Sequence, residues 1–79
     1  MIQPGNENRI QPAMLITLNG RNESLESEKT VAELLHKLAL APIRVAVEVN
    51  EDLVPRRAFD STALREGDRV EIVTFVGGG

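Results

Sequence analysis

The sequence of 79 residues contains no cysteine, tryptophan or tyrosine, and only two phenylalanines. Without cysteine the chain cannot form disulfides, supply a thiolate nucleophile or ligate iron–sulfur clusters. Few aromatic side chains and a net charge of −3 argue against nucleic-acid binding. No apolar run approaches the length of a membrane span, so we expect no membrane segment. The absence of disulfides fits the reducing cytoplasm, where we expect the protein to act.

Groups that could carry catalysis are also scarce. His36 is the only histidine, and helical spacing places it away from the apolar face, where a solvated side chain is expected. The acidic residues are scattered without the spacing of a metal site. We therefore predict no catalytic residue, no metal site and no bound cofactor, and we expect that the chain is not an enzyme.

The composition divides the chain into three parts. Residues 1–13 are polar and include Pro4, Gly5 and Pro12, so we predict a disordered arm that lacks the apolar stretch of a secretory signal. Residues 14–76 are predicted to form one folded domain, and residues 77–79 a flexible glycine tail.

The periodic segments predict one helix between two hairpins. Thr30-Val-Ala-Glu33 is a capping box, in which the Glu33 carboxylate would accept from the Thr30 N–H. The helix should run to about Leu40, before Pro42, with Lys37 paired to Glu33. A second, short helical turn is expected over residues 59–64, capped by Asp60 or Ser61. Strands are predicted at 14–18, 22–25, 44–49, 53–54 and 69–75, with the turns Asn19-Gly20 and Asn50-Glu51-Asp52.

This order predicts an α+β protein of the β-grasp, ubiquitin-like class. Such a fold is a mixed sheet of four to five strands with one main helix on one face. Its first and last strands lie side by side in the centre, so the last strand would carry the C-terminal tail out from a rigid base.

The last strand has apolar residues on both faces. Val70 and Ile72 should point inward, which leaves Val73 and Phe75 on the open face with Ala46 and Leu15. An open apolar patch indicates a partner surface, to which we add Val76 and the basic Arg56. Alternatively, the N-terminal arm or dimerisation covers the patch. For Arg56-Arg57 the alternative is an ordinary surface turn without a binding role. We expect a monomer when the protein is free.

Gly77-Gly78-Gly79 directly follows this strand. A terminal glycine carboxylate is unhindered and ionised at neutral pH, so it can attack the α-phosphate of a nucleotide and form an acyl-adenylate. The glycines before it lack a Cβ and can pass through a narrow channel. The alternative is a frayed chain end or residues added in cloning.

Two blocks carry a resemblance to a known family. The chain from Val47-Glu-Val-Asn50 to Leu53-Val-Pro-Arg56, and the segment from Gly67-Asp-Arg-Val to Phe75-Val-Gly-Gly-Gly79, resemble the ThiS family of sulfur carriers in thiamine biosynthesis. The resemblance covers residues 14–79. Many relatives have glycine after the asparagine of the first block, where this chain has Glu51.

The resemblance implies a sulfur-transfer cycle. An adenylating enzyme of the ThiF type would activate Gly79 with Mg-ATP, a sulfur donor protein would convert it to a thiocarboxylate, and thiazole synthase (ThiG) would receive the sulfur. Gly79 would be the modified residue, Gly78 its required neighbour and Gly77 an extension of the tail.

Other functions are also compatible with the sequence. The small subunit of molybdopterin synthase shares the fold and a Gly-Gly terminus, although its tail is usually preceded by residues unlike Val73 to Val76. A carrier for cysteine synthesis or tRNA thiolation would also fit. A non-carrier β-grasp interaction module would need no chemistry at Gly79.

Overall fold

The structure, a computed structural model, describes residues 13–75, and the structural statements below concern that part of the chain. It contains one helix, α1 (Val31–Lys37), and two 3-10 turns, Pro42–Arg44 and Arg56–Ala58. The five strands are β1 (Met14–Leu18), β2 (Arg21–Leu25), β3 (Val45–Val49), β4 (Asp52–Val54) and β5 (Arg69–Thr74).

The five strands form one sheet in the order β2-β1-β5-β3-β4. β1 and β5 run parallel, whereas the other neighbouring pairs are antiparallel. The first and last strands therefore lie side by side, and β5 occupies the middle of the sheet. This arrangement confirms the predicted β-grasp fold with a mixed sheet and one main helix.

The core lies between α1 and the inner face of the sheet. Val70 and Ile72 are buried on β5, as predicted from their alternation. Phe59 and Leu64 come from the long connection between β4 and β5 and close the core, a role that was not predicted. The buried residues are Ile16, Leu25, Val31, Leu34, Leu35, Val45, Val47, Val54, Phe59, Leu64, Val70 and Ile72.

Both hairpin turns have positive φ at their two central residues, as type I′ turns require. The angles are 50° at Asn19 and 84° at Gly20, then 52° at Asn50 and 74° at Glu51. Asparagine and glycine adopt this region readily, but glutamate does so at a cost. The positive φ at position 51 thus explains why the family pattern has glycine there.

The start of α1 is capped in a slightly different way from the prediction. Glu33 N–H donates to Thr30 Oγ1 at 3.2 Å, as expected. The Glu33 carboxylate, however, accepts from Lys29 N–H at 2.6 Å rather than from Thr30 N–H. Lys37 Nζ lies 4.0 Å from Glu23 on β2, so the helix is tied to the sheet by this pair instead of the predicted pair with Glu33.

The helix ends at Lys37, about three residues before the predicted end. Ala39 turns to a φ of 60°, its N–H donates to His36 O at 3.0 Å, and Leu40 N–H donates to Leu35 O at 2.9 Å. These two bonds form a Schellman motif, which usually has glycine at the left-handed position. Pro42 is therefore not what stops the helix.

The helical turn predicted over residues 59–64 begins earlier and ends at Thr62, whose N–H donates to Ala58 O at 3.0 Å. The 3-10 turn lies at Arg56–Ala58, and the chain after it serves the start of α1. Ala32 N–H donates to Phe59 O at 2.9 Å and Val31 N–H donates to Thr62 O at 3.0 Å. These carbonyls satisfy helix N–H groups that have no partner within the helix, which a continued helical turn could not do.

Replacing Ala39 by glycine should stabilise the protein. Glycine adopts the left-handed conformation without a Cβ penalty, so the free energy of unfolding should rise by about 1 kcal/mol. Denaturant unfolding followed by circular dichroism measures the change. The matched control is Ala32→Gly inside α1, which should lower stability by about the same amount. A loss of stability in both variants would contradict the left-handed conformation at position 39.

Candidate functional site

The main chain of β5 is hydrogen-bonded along the edge that faces β3. Phe75 N–H donates to Arg44 O at 2.8 Å, and Asn50 N–H donates to Arg69 O at 2.7 Å. The antiparallel register between these contacts is unbroken from Val49↔Val70 to Val45↔Thr74. The last strand is therefore anchored up to the final residue that the structure describes.

The other edge of β5 is held by β1 and by one side chain. Thr17 N–H donates to Asp68 O and Asn19 N–H to Val70 O, each at 2.9 Å. The Asn19 side chain then continues the ladder, because Oδ1 accepts from Ile72 N–H at 2.8 Å and Nδ2 donates to Ile72 O at 3.2 Å. The amide of Asn19 thus takes the place of one more residue of β1.

Apolar side chains stand on the outer face where β5 ends. Val73 is 60% exposed and Phe75 is 53% exposed, and Ala46 lies directly across from Val73 on β3. This confirms the face predicted for these three residues. We call Ala46, Leu53, Val73 and Phe75 the outer patch.

Leu53 on β4 was not predicted as part of this surface. It is 67% exposed and pairs with Glu48, which pairs in turn with Glu71 on β5. Its position follows from alternation with the buried Val54. Two adjacent apolar residues in a strand of three residues do not show from the sequence which of them faces outward.

Leu15 lies on the same face but not in the outer patch. Thr17 pairs with Arg69 in the parallel register, which places Leu15 six residues below Val73. At about 3.3 Å per residue the separation along the strands is about 20 Å. The predicted face was correct for Leu15, which lies too far from Val73 to belong to the outer patch.

Charged residues border the outer patch. Glu48 and Glu71 are direct cross-strand neighbours, a like-charge arrangement that costs stability. At the other border, Arg44 is exposed and bonded through its carbonyl to Phe75. Arg56 is also exposed and follows β4, which runs toward the end of the sheet where β5 ends. Glu48 and Glu71 thus lie on one side of the outer patch, and Arg44 lies beyond its other side.

The remaining predicted site residues lie outside the described part of the chain. They are Val76 and the tail residues Gly77, Gly78 and Gly79, together with residues 1–12 of the predicted arm. The structure describes the base from which the tail continues.

A shallow concavity lies on the helix side of the molecule. It has a volume of about 340 Å³ and is lined by Ser27, Glu28, Ala32, Glu33, His36 and Lys37. The main-chain N–H of Glu28 holds the pKa of that carboxyl below its usual range.

Residues 13–75 include no group of three histidines or carboxylates placed to hold a metal ion. Within the same residues, no helix is long and apolar enough to cross a bilayer.

Known proteins resemble the chain over nearly all of its length. The family model described as the ThiS family matches residues 12–79. The crystal structure of the thiamine biosynthesis protein (ThiS) from Geobacter metallireducens is 39% identical with a TM-score of 0.70, covering 84% of this chain and 100% of that one. The uncharacterized protein ycf40 of Porphyra purpurea is 39% identical, over 89% of this chain and 99% of its own length.

A larger relative shares the same segment. The thiazole synthase of Paramagnetospirillum magneticum is 38% identical over 66 residues, which are 84% of this chain and 20% of that protein. The chain therefore spans about a fifth of the length of this relative.

Fold and surface together define a small ubiquitin-like domain, whose central strand β5 ends beside an exposed apolar face. The chain belongs to the ThiS family. Membership of that family supports a sulfur carrier role.

Replacing Asn19 by glycine should weaken the attachment of β5 to β1. Glycine keeps the positive φ of the turn but removes both side-chain bonds to Ile72, so the free energy of unfolding should fall by about 1–2 kcal/mol. The matched control is Asn50→Gly, which also keeps its turn but loses bonds that are exposed to solvent. Chemical denaturation of both variants checks the order, and an equal or larger loss for Asn50→Gly would contradict it.

Proposed function

We propose that the protein carries sulfur on Gly79 for formation of the thiazole ring in thiamine biosynthesis. The Gly79 carboxylate attacks the α-phosphate of ATP, which releases pyrophosphate and leaves an acyl-adenylate. A sulfur nucleophile such as hydrosulfide then displaces AMP and leaves a thiocarboxylate. Gly77 and Gly78 deliver this group to the partner active sites, because residues without a Cβ pass through narrow channels.

The observation that carries the proposal is the position of β5. It lies in the middle of the sheet, is bonded to β3 along its length and to β1 and Asn19 as far as Ile72, and ends at Thr74, five residues before Gly79. This strand is a firmly held base, so docking of the domain fixes the point from which the tail starts. Membership of the ThiS family supplies the chemistry that such a tail performs.

The partners follow from this cycle. An adenylating enzyme of the ThiF type binds Mg-ATP and activates Gly79, a sulfur donor protein supplies the sulfur, and thiazole synthase receives it in the cytoplasm. The segment shared with the thiazole synthase of Paramagnetospirillum magneticum supports the last partner, since a carrier-like segment there belongs to the same chain as the acceptor.

Docking is assigned to the outer patch and its borders. Val73 and Phe75, with Val76 next in the chain, supply apolar area beside the start of the tail. Arg56 supplies a charge at the rim, where electrostatic complementarity raises the association rate and selects the partner.

Sulfur loading can be read directly from the mass of the intact chain. We expect incubation with the adenylating enzyme from the same organism, Mg-ATP and sulfide to add the mass difference of one sulfur for one oxygen. Deleting Gly79 should abolish the gain while leaving the thermal midpoint unchanged, because terminal residues contribute little to the fold. Wild-type chain that stays unmodified beside an enzyme active on another carrier would refute the proposal.

The loaded carrier can also be used to distinguish between the sulfur pathways. Thiocarboxylate that forms and supports thiazole production by thiazole synthase confirms the proposed pathway. Thiocarboxylate that forms but is used only for molybdopterin, cysteine or tRNA thiolation would keep the carrier role and overturn the thiazole assignment.

A charge placed in the outer patch should block docking without unfolding the protein. Val73→Glu should weaken binding to the adenylating enzyme by about tenfold or more, because a desolvated apolar contact is lost. Leu15→Glu is the matched control, since it lies on the same face about 20 Å away along the strands. Titration calorimetry compares the two variants, and equal losses would show that the outer patch is not the contact.

A further inference from the structure

One segment of β5 is paired on a single edge within the described residues. Bonds to β3 are made by alternate residues, as shown by Asn50 N–H to Arg69 O and Phe75 N–H to Arg44 O. The intervening residues Val70, Ile72 and Thr74 direct their main-chain groups to the opposite edge. There the Asn19 N–H donates to Val70 O, and the Asn19 side chain bonds to both main-chain groups of Ile72.

Thr74 lies just beyond this support. β1 pairs with β5 only at Arg69 and Val70, and the Asn19 side chain reaches no further than Ile72. No residue between 13 and 75 pairs with the β1-side edge of Thr74, and its side chain is exposed. An unpaired main-chain N–H and carbonyl on a strand are a template for another strand.

The outer edges of the sheet are poorer templates. β2 presents mostly polar and charged residues, Arg21, Asn22, Glu23 and Ser24, along one edge, and β4 at the other is only three residues long. Charged side chains and short length are the usual protection of edge strands against pairing. The segment at Thr74 has neither protection, and the strand to which it belongs is held firmly by β3.

We propose that the enzyme that adenylates Gly79 adds an extended segment of its own chain to β5 at Thr74. This segment would lie beside β5 where β1 would continue if it did not turn away after Asn19. The added segment accepts from Thr74 N–H and donates to Thr74 O, as in other cases of strand addition. It lies next to the outer patch and runs alongside the start of the tail. This inference rests on the proposed function, and it identifies main-chain pairing as a second contact beside the apolar one.

Main-chain pairing has a consequence that side-chain docking does not have. It fixes the direction of β5 in the complex and therefore the direction in which the five residues after Thr74 enter the enzyme. Its hydrogen bonds do not depend on the side chain at position 74, so specificity remains with Val73 and Phe75 on the outer face.

Amide hydrogen exchange of the full wild-type chain tests the state of this edge. In the free protein, Thr74 should exchange much faster than Phe75, whose N–H is bonded to Arg44. Adding the adenylating enzyme should slow exchange at Thr74 by about tenfold or more. Protection of Thr74 in the free chain, or no slowing in the complex, would overturn the proposal.

Proline substitution tests the same contact by removing the main-chain N–H of Thr74. Thr74→Pro removes an N–H that faces away from β3, and proline is tolerated in a strand at such a position. We expect the thermal midpoint to change little and adenylation at limiting carrier concentration to fall by about tenfold or more. Thr74→Val, which keeps the N–H, should behave as wild type. Val73→Pro removes an N–H that faces β3 and should unfold the domain.

The outcomes separate this proposal from the proposed function. Adenylation of Thr74→Pro at the wild-type rate would refute strand addition while leaving the carrier role intact. Failure of the wild-type chain itself to accept sulfur would refute the carrier role. If Thr74→Pro does not fold, the exchange measurement on the wild-type chain decides, because slow exchange at Thr74 in the free protein refutes the proposal.

Discussion

The hydrogen bonding of β5 on both edges is the constraint on which the rest of the structure depends. β3 holds one edge through a continuous antiparallel register, and β1 holds the other through a short parallel contact. Two turn asparagines reinforce these contacts, because Asn19 bonds to Ile72 and Asn50 accepts from Arg69 N–H at 2.9 Å. A strand fixed in this way can bury Val70 and Ile72 on one face and still present Val73 and Phe75 on the other.

Much of this arrangement could be predicted from local patterns. Strict alternation identified the inner and outer faces of β5, and Asn-Gly and Thr-x-x-Glu located one turn and the start of the helix. These signals depend on neighbouring residues only, so a single sequence carries them. The pairing of β1 with β5 then followed from the order of elements, because few arrangements cover one sheet face with one helix.

The errors share a different origin. Ala39 ends the helix in a conformation that alanine rarely adopts, and residues 59–64 are shaped by the N–H groups of α1 rather than by their own propensity. The side-chain ladder of Asn19 and the exposure of Leu53 depend on contacts between distant segments. The chemistry assigned to Gly79 came from the resemblance and from the carboxylate itself, since its role requires an enzyme that the sequence does not contain.

The alternation of β5 also limits how this carrier can evolve. Ile72 is constrained by packing in the core, whereas the adjacent Val73 is exposed and free of that constraint. Substitutions at outer positions can change the exposed surface while the core stays intact, so new surface properties are reachable through single replacements. An insertion of one residue in β5 would exchange its two faces and disrupt the core and the outer patch together. Variation along this strand should therefore proceed by substitution, with a different tolerance at every second position.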